Sequence, residues 1–192
     1  GGALAITSNV FESTSSECCA TGVSIYGSQA TGGPDNAITS ITLQNNTIRQ
    51  FYTGLYLDGS GETVLSSVTG NRVENAREQG MSIYNLQGTV ITGNTVMGSG
   101  GAGVYLGNSV PSAFKDNVIT GNGANSNQAG LYVAHNNAEL SESFLIEDND
   151  LSGNYIGIEL REFANAVIKG NDLSGSTSYG LNNLTTNAID AR

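Results

Sequence analysis

Apolar and polar residues alternate along this chain in short runs that recur seven times, and each copy contains a glycine and an asparagine at fixed places in the pattern. One half of each copy reads Gly-apolar-x-apolar, as in residues 54–57. The other half reads apolar-x-apolar-x-x-Asn-x-apolar, as in residues 144–151. The opening glycines are Gly22, Gly54, Gly80, Gly103, Gly130, Gly157 and Gly180. The asparagines are Asn9, Asn46, Asn71, Asn94, Asn117, Asn149 and Asn171.

The period of this pattern predicts a solenoid. The shortest copies repeat after 22 or 23 residues, and a period in the twenties is typical of stacked repeats. Alternation supplies three short strands per copy with inward apolar side chains. We therefore predict an all-β, single-stranded parallel β-helix of about seven coils, formed by residues 1–192 as one domain. Crossovers between parallel strands favour the right hand. A leucine-rich repeat would need a helix or more leucines in each copy.

The asparagine marks a sharp bend between two strands. Asn tolerates the left-handed backbone conformation, and its amide bonds nearby backbone groups, so we assign both roles to it. A small or turn-prone residue precedes it in every copy. Both ends of the chain read as open coils that supply no cap. We therefore expect either flanking sequence in a longer protein or end-to-end stacking of rods.

Composition and charge restrict the classes of partner that the chain can bind. The net charge is −10, which disfavours nucleic acid because nucleic acid requires a basic surface. No run of 18 apolar residues is present, so we expect no membrane insertion. Few lysines among many Thr, Ser and Asn favour an extracellular or cell-surface location. The only cysteines, Cys18 and Cys19, are interpreted as loop thiols, with a strained vicinal disulfide or a metal site as alternatives.

At this point the repeat resembles the right-handed parallel β-helix proteins of the pectate-lyase-like superfamily. The segments that carry the resemblance are GVSI, GLYL, GMSI, GVYL, GLYV and GIEL with the Asn-x-apolar elements that follow them. The resemblance implies an Asn ladder at the short turn. It also implies that a polysaccharide substrate would lie along the Gly-initiated sheet. The repeat residues build the scaffold and do not specify an activity.

The Gly-initiated sheet is predicted to carry a tyrosine-rich outer face. A tyrosine presents an apolar ring and a hydroxyl, which suits sugar rings. The alternative is that outward tyrosines have good strand propensity and stack on each other. The predicted carbohydrate-binding residues are Tyr26, Tyr56, Asp58, Tyr84, Tyr105 and Tyr132.

A smaller group suggests catalysis. Tyr132 or His135 would act as acid or base, Glu159 supplies a carboxylate one coil on, and Arg161 would hold a sugar carboxylate. The alternatives are a solvated loop histidine and two ordinary surface charges. The resemblance also implies acidic Ca²⁺ clusters, paired aspartates or an Asp-Pro-His stretch in enzymes of the superfamily, and the sequence has none of these. Hence no metal site is assigned, although an acidic run could attract Ca²⁺: Glu139, Glu142, Glu147, Asp148 and Asp150.

Three functions follow. The first is an extracellular β-helix segment with a structural or adhesive role and polysaccharide contact along the tyrosine face. The second is a polysaccharide lyase or epimerase module. The third is a rod that assembles end to end through its open coils.

Overall fold

The computed structural model describes residues 2–14, 19–27, 38–59, 65–134, 144–161, 166–185 and 189–191. Twenty strands wind into three parallel sheets, and the described residues contain no α-helix. Every strand pairs in parallel with its equivalent in a neighbouring coil, and strands inside each sheet pair on both sides. The predicted all-β parallel solenoid is confirmed.

Sheet A has eight strands, and its members follow the order of the chain. They are β1 (Gly2–Thr7), β4 (Ile38–Gln44), β7 (Leu65–Thr69), β10 (Val90–Thr92), β13 (Ala113–Lys115), β16 (Phe144–Glu147), β18 (Ala166–Lys169) and β20 (Ile189–Ala191). Sheet B follows the asparagine bend and has five strands. They are β2 (Val10–Glu12), β5 (Thr47–Arg49), β8 (Arg72–Glu74), β11 (Thr95–Met97) and β14 (Val118–Thr120).

Sheet C is the Gly-initiated sheet and has seven strands. They are β3 (Thr21–Tyr26), β6 (Thr53–Asp58), β9 (Met81–Tyr84), β12 (Val104–Gly107), β15 (Ala129–Ala134), β17 (Ile156–Arg161) and β19 (Tyr179–Asn183). Five coils therefore contain all three strands. In the next two coils the sheet B strand shrinks to isolated bridges at Asp150 and Asp172. Their carboxylates accept hydrogen bonds from Ser152 and Ser174 N–H, which turns the chain early.

Aliphatic side chains fill the inside of the coils. Leu57, Ile83 and Leu106 lie on adjacent strands of sheet C, and each has 0% exposure. Equivalent inward residues of sheets A and B, such as Leu43 and Ile48, are also buried. The core is therefore a set of stacked ranks that run the length of the solenoid, as the alternation predicted.

The asparagines form the expected ladder. At each step the main-chain N–H and the side-chain amide of one Asn donate to Oδ1 of the Asn in the next coil, at 2.8–3.2 Å. Each amide from Asn46 onward also donates to a carbonyl of the preceding coil, as Asn94 does to Val68. From Asn46 to Asn149 the ladder satisfies buried polar groups, since these asparagines are only 1–2% exposed.

One detail of the bend was predicted wrongly. The left-handed residue is the one before each ladder asparagine, and the asparagine itself has negative φ. One asparagine cannot take both roles, because the ladder needs its amide to point inward along the stack. The left-handed residues are Ser8, Asn45, Gly70, Gly93, Asp116, Asp148 and Gly170.

The repeated glycine has a steric reason. A Cβ on Gly80 would lie 2.6 Å from the carbonyl oxygen of Gly103 and 2.8 Å from Ser99 Oγ, and it would also collide with Val96. These atoms belong to the adjacent coil and cannot retreat without separating the strands. Only glycine therefore allows the coils to stack at the start of sheet C.

Candidate functional site: the outer face of sheet C

Five tyrosines form one continuous column along the outer face of sheet C. Ring centroids are 5.2 Å apart from Tyr26 to Tyr56, 5.5 Å from Tyr56 to Tyr84, 5.2 Å from Tyr84 to Tyr105 and 5.0 Å from Tyr105 to Tyr132. Tyr26 is 64% exposed and the other four are partly exposed. The column spans about 19 Å at one strand spacing per coil.

Strand register and small neighbours produce this column. Tyr105 and Tyr132 occupy paired positions, so their rings are nearly parallel, at 12°. Tyr84 lies two positions further along its strand and pairs with Gly107. A side chain on Gly107 would meet the rings of Tyr84 and Tyr105, so its absence allows those rings to approach each other.

Packing within the column makes the tyrosine hydroxyls harder to ionise. Burial, together with Tyr105, Tyr56 and Asp58, raises the pKa of Tyr84 to about 12. Burial and the neighbouring carboxylate of Asp58 also raise the pKa of Tyr56. Burial raises the pKa of Tyr105, and the positive charge of Arg161 opposes that change. The hydroxyls of Tyr56, Tyr84 and Tyr105 are therefore neutral at physiological pH.

A polar row flanks the tyrosine column where the strands of sheet C end. Asp58 Oδ1 accepts a hydrogen bond from the amide of Asn85 at 2.9 Å, and Asn85 Oδ1 accepts one from Asn108 at 3.4 Å. Tyr56 Oη donates to Asp58 Oδ2 at 3.4 Å, which joins the row to the column. Sequence reasoning identified Asp58 but missed Asn85 and Asn108. Their signal was an Asn directly after the strand in two successive copies, where both residues have positive φ.

Three of the four catalytic candidates lie together at the other end of the column. The guanidinium of Arg161 lies 5.4 Å from the ring centroid of Tyr132. Arg161 Nε donates to Glu159 Oε1 at 2.6 Å, and the amide of Asn182 donates to Glu159 Oε2 at 3.3 Å. This hydrogen bond to Glu159 raises the pKa of Arg161. The fourth candidate, His135, lies outside the described residues.

The expected exposure of Glu159 was wrong. The sequence placed it with Arg161 as a pair of outward charges, yet the Glu159 side chain is only 5% exposed whereas that of Arg161 is 51% exposed. Arg161 and Asn182 bond both of its oxygens, and a carboxylate removed from water needs such partners. The pair is therefore a structured part of the face.

The described residues do not form a metal site. Among them, no group of three or more His, Cys, Asp or Glu side chains is placed to hold an ion. In the acidic run, Glu147 pairs with Lys169 at 2.7 Å and Asp150 accepts from Ser152, while Glu139 and Glu142 lie outside the described residues. Cys19 is exposed, and Cys18 also lies outside them.

The fold and this face define a parallel β-solenoid protein with an aromatic stripe on one sheet. Residues 3–140 match the model of the family described as "Periplasmic copper-binding protein (NosD)". That match spans well over half of the chain, so the chain belongs to the NosD family. This membership confirms the predicted right-handed β-helix of the pectate-lyase-like superfamily. No curated protein and no solved structure matches the chain.

The family description bears on location and on copper. A periplasmic family agrees with the predicted extracellular or cell-surface location, and the described residues contain no helix able to cross a membrane. Copper does not fit the described donor set. Met81 is fully buried, the Met97 sulfur accepts from Arg72 at 3.6 Å, and the described part of the chain has no group of three or more His, Cys, Asp or Glu placed to hold an ion. We therefore derive no function through copper.

Proposed function

We propose that this β-helix protein binds polysaccharide along the outer face of sheet C, in a structural or adhesive role outside the cytoplasm. The observation that supports it best is the unbroken column of five tyrosines at 5.0–5.5 Å. From the sequence, the alternative is that the tyrosines only stack on each other. The two ideas are compatible, because the rings of the column do contact one another. Stacking holds the rings rigid, which lowers the entropy lost on binding.

The column would contact sugar mainly through ring edges and hydroxyls. Neighbouring rings lie 5.0–5.5 Å apart at interplanar angles of 12–41°, so we expect each ring to cover part of the next ring's face and to leave edges and Oη accessible. An aromatic edge is electropositive and attracts sugar oxygens, while each Oη donates and accepts hydrogen bonds. An extended polysaccharide lying parallel to the solenoid axis would meet one ring in each coil.

A binding experiment tests this proposal. Calorimetric titration would use hexasaccharides of 1,4-linked glucose and of 1,4-linked galacturonate on the wild type and on a variant with Tyr56, Tyr105 and Tyr132 changed to Ala. We expect the wild type to bind at least one hexasaccharide and the variant to lose at least tenfold in affinity. Tyr179→Ala is the matched control, because Tyr179 is 56% exposed but lies outside the column. Unchanged affinity in the triple variant would contradict the proposal.

A second candidate is the lyase or epimerase module. It is favoured by the contact between Tyr132 and Arg161 and by the carboxylate of Glu159 beside them. Tyr132 would exchange a proton next to a uronate whose carboxylate is bound by Arg161. If this candidate holds, the wild type depolymerises or epimerises a uronate polymer, and both Tyr132→Phe and His135→Ala lose that activity. A wild type that leaves such polymers unchanged would exclude it.

A further inference from the structure

We infer that the polysaccharide bound by sheet C is neutral and rich in hydroxyl groups, and that acidic polysaccharides are rejected. This inference rests on the proposed function. It is drawn from the charges along the face and from the chemistry of the row beside the column.

The one cation on this face is already neutralised. Among the described outward residues of sheet C, Arg161 alone is positively charged, and its Nε lies 2.6 Å from a carboxylate oxygen of Glu159. A uronate that approached the exposed part of Arg161 would also approach Glu159. Repulsion between the two carboxylates would offset the attraction to the guanidinium.

The opposite end of the column is negative. Asp58 contacts Tyr56 and Asn85, so its carboxylate lies directly beside the second ring of the column. The chain as a whole has a net charge of −10. A polymer with a carboxylate on each sugar would therefore meet unfavourable potential along the column, because the one basic residue among the described outward positions, Arg161, is already paired with Glu159.

The polar row suits hydroxyl groups instead. Asp58, Asn85 and Asn108 present carboxylate and amide groups on three successive coils beside three successive rings. A sugar hydroxyl both donates and accepts, so it pairs with amide N–H, amide oxygen and carboxylate alike. Each of these three coils thus offers one tyrosine ring and one polar group.

The test compares the two hexasaccharides on the same protein at low and high salt. We expect the 1,4-glucose hexasaccharide to bind at least tenfold more tightly than the galacturonate hexasaccharide at low salt. Equal or tighter binding of galacturonate would overturn this inference and leave the proposed function intact. Binding of neither would overturn both.

Charge variants make the test sharper. Glu159→Gln exposes the charge of Arg161, and we expect its galacturonate affinity to rise at least tenfold over that of the wild type. Glu147→Gln is the matched control, because it breaks a carboxylate–lysine pair on sheet A and changes the net charge equally. If Glu147→Gln raised the galacturonate affinity by the same factor, the effect would come from net charge and not from the Glu159–Arg161 pair. Should Glu159→Gln fail to fold, Asp58→Asn serves the same purpose at the other end, and an unchanged galacturonate affinity there would also overturn the inference.

Discussion

Among single residues, glycine has two different structural roles in the repeat, and the residue type alone does not distinguish them. Gly80 begins a strand of sheet C and has no room for a Cβ, whereas Gly93 precedes a ladder asparagine and has φ of +64° with open space around it. The equivalent of Gly93 in an earlier coil is Asn45, at φ of 55°. Backbone conformation selects the residue at the second site, and close packing selects it at the first.

Replacing these two glycines should therefore have different costs. Gly80→Ala forces its Cβ against the carbonyl of Gly103, and we expect it to lower the free energy of unfolding by about 3 kcal/mol or more. Gly93→Asn places a residue that tolerates the left-handed region, so the change should stay within about 0.5 kcal/mol. Urea denaturation measures both. Equal losses in the two variants would mean that the coils are not stacked as described.

Tyr84 makes a prediction about pH. The pKa of Tyr84 is about 12 in the folded protein, against an ordinary value of 10.0. Because the folded value is the higher one, its contribution to stability is fully present below pH 10 and is lost as the pH rises from 10 toward 12. The ionisation of tyrosine is followed by absorbance as the pH rises, and the difference between the wild type and Tyr84→Phe gives the titration of Tyr84. A Tyr84 hydroxyl that ionises in the folded protein with the ordinary pKa would contradict its packing in the column.

At the scale of elements, the asparagine ladder links every coil to the next. The resemblance to the pectate-lyase-like superfamily implied it, and the seven asparagines that recur at one position of the repeat fit it. A second stack was missed: Asn122 and Asn154 are buried five residues after Asn117 and Asn149, and Asn122 donates to Asn154 Oδ1 at 3.1 Å. The equivalent position in earlier copies is Ala76 or Ser99, so the sequence shows no repeated amide there.

The strand pattern was predictable and the surface detail was not. Alternation and the repeated glycine fixed the inward residues, the three sheets and the outward tyrosines, because these depend on local periodicity. The burial of Glu159 depends on Arg161 and on Asn182 from the next coil. The row from Asp58 to Asn108 depends on register between coils. The contacts of Glu159 leave no local sequence signal, and the only signal of the row is the Asn that follows two successive strands of sheet C.

Replacing a ladder asparagine by alanine should lower the free energy of unfolding, and the loss should be larger for a buried asparagine than for an exposed one. Asn94→Ala removes the oxygen that accepts from the N–H of Asn71 and the amide that donates to the carbonyl of Val68, at a position that is only 1% exposed. We expect a loss of about 3 kcal/mol. Asn9→Ala at the exposed first rung should cost less than about 1 kcal/mol, because water can replace the amide. Thermal denaturation of both variants is the measurement, and similar losses would contradict the ladder.

At the scale of the whole molecule, the ladder has a direction. Every rung donates toward the next coil, so a second molecule stacked head to tail would carry its ladder in the same direction. Such a contact is heterologous and would extend into a filament. End-to-end association stays a prediction, in which light scattering shows the mean mass rising with protein concentration. A constant monomer mass up to high concentration would contradict it.

The winding of the coils brings five distant tyrosines into one column, and we propose that this column contacts a neutral polysaccharide. NMR spectra of the protein with ¹³C-labelled tyrosine rings test it directly during titration with the 1,4-glucose hexasaccharide. We predict shifts in Tyr26, Tyr56, Tyr84, Tyr105 and Tyr132, whereas Tyr52, Tyr155 and Tyr179 stay unchanged and serve as internal controls. Column resonances that do not move at a saturating concentration, or shifts confined to the three control tyrosines, would contradict the claim.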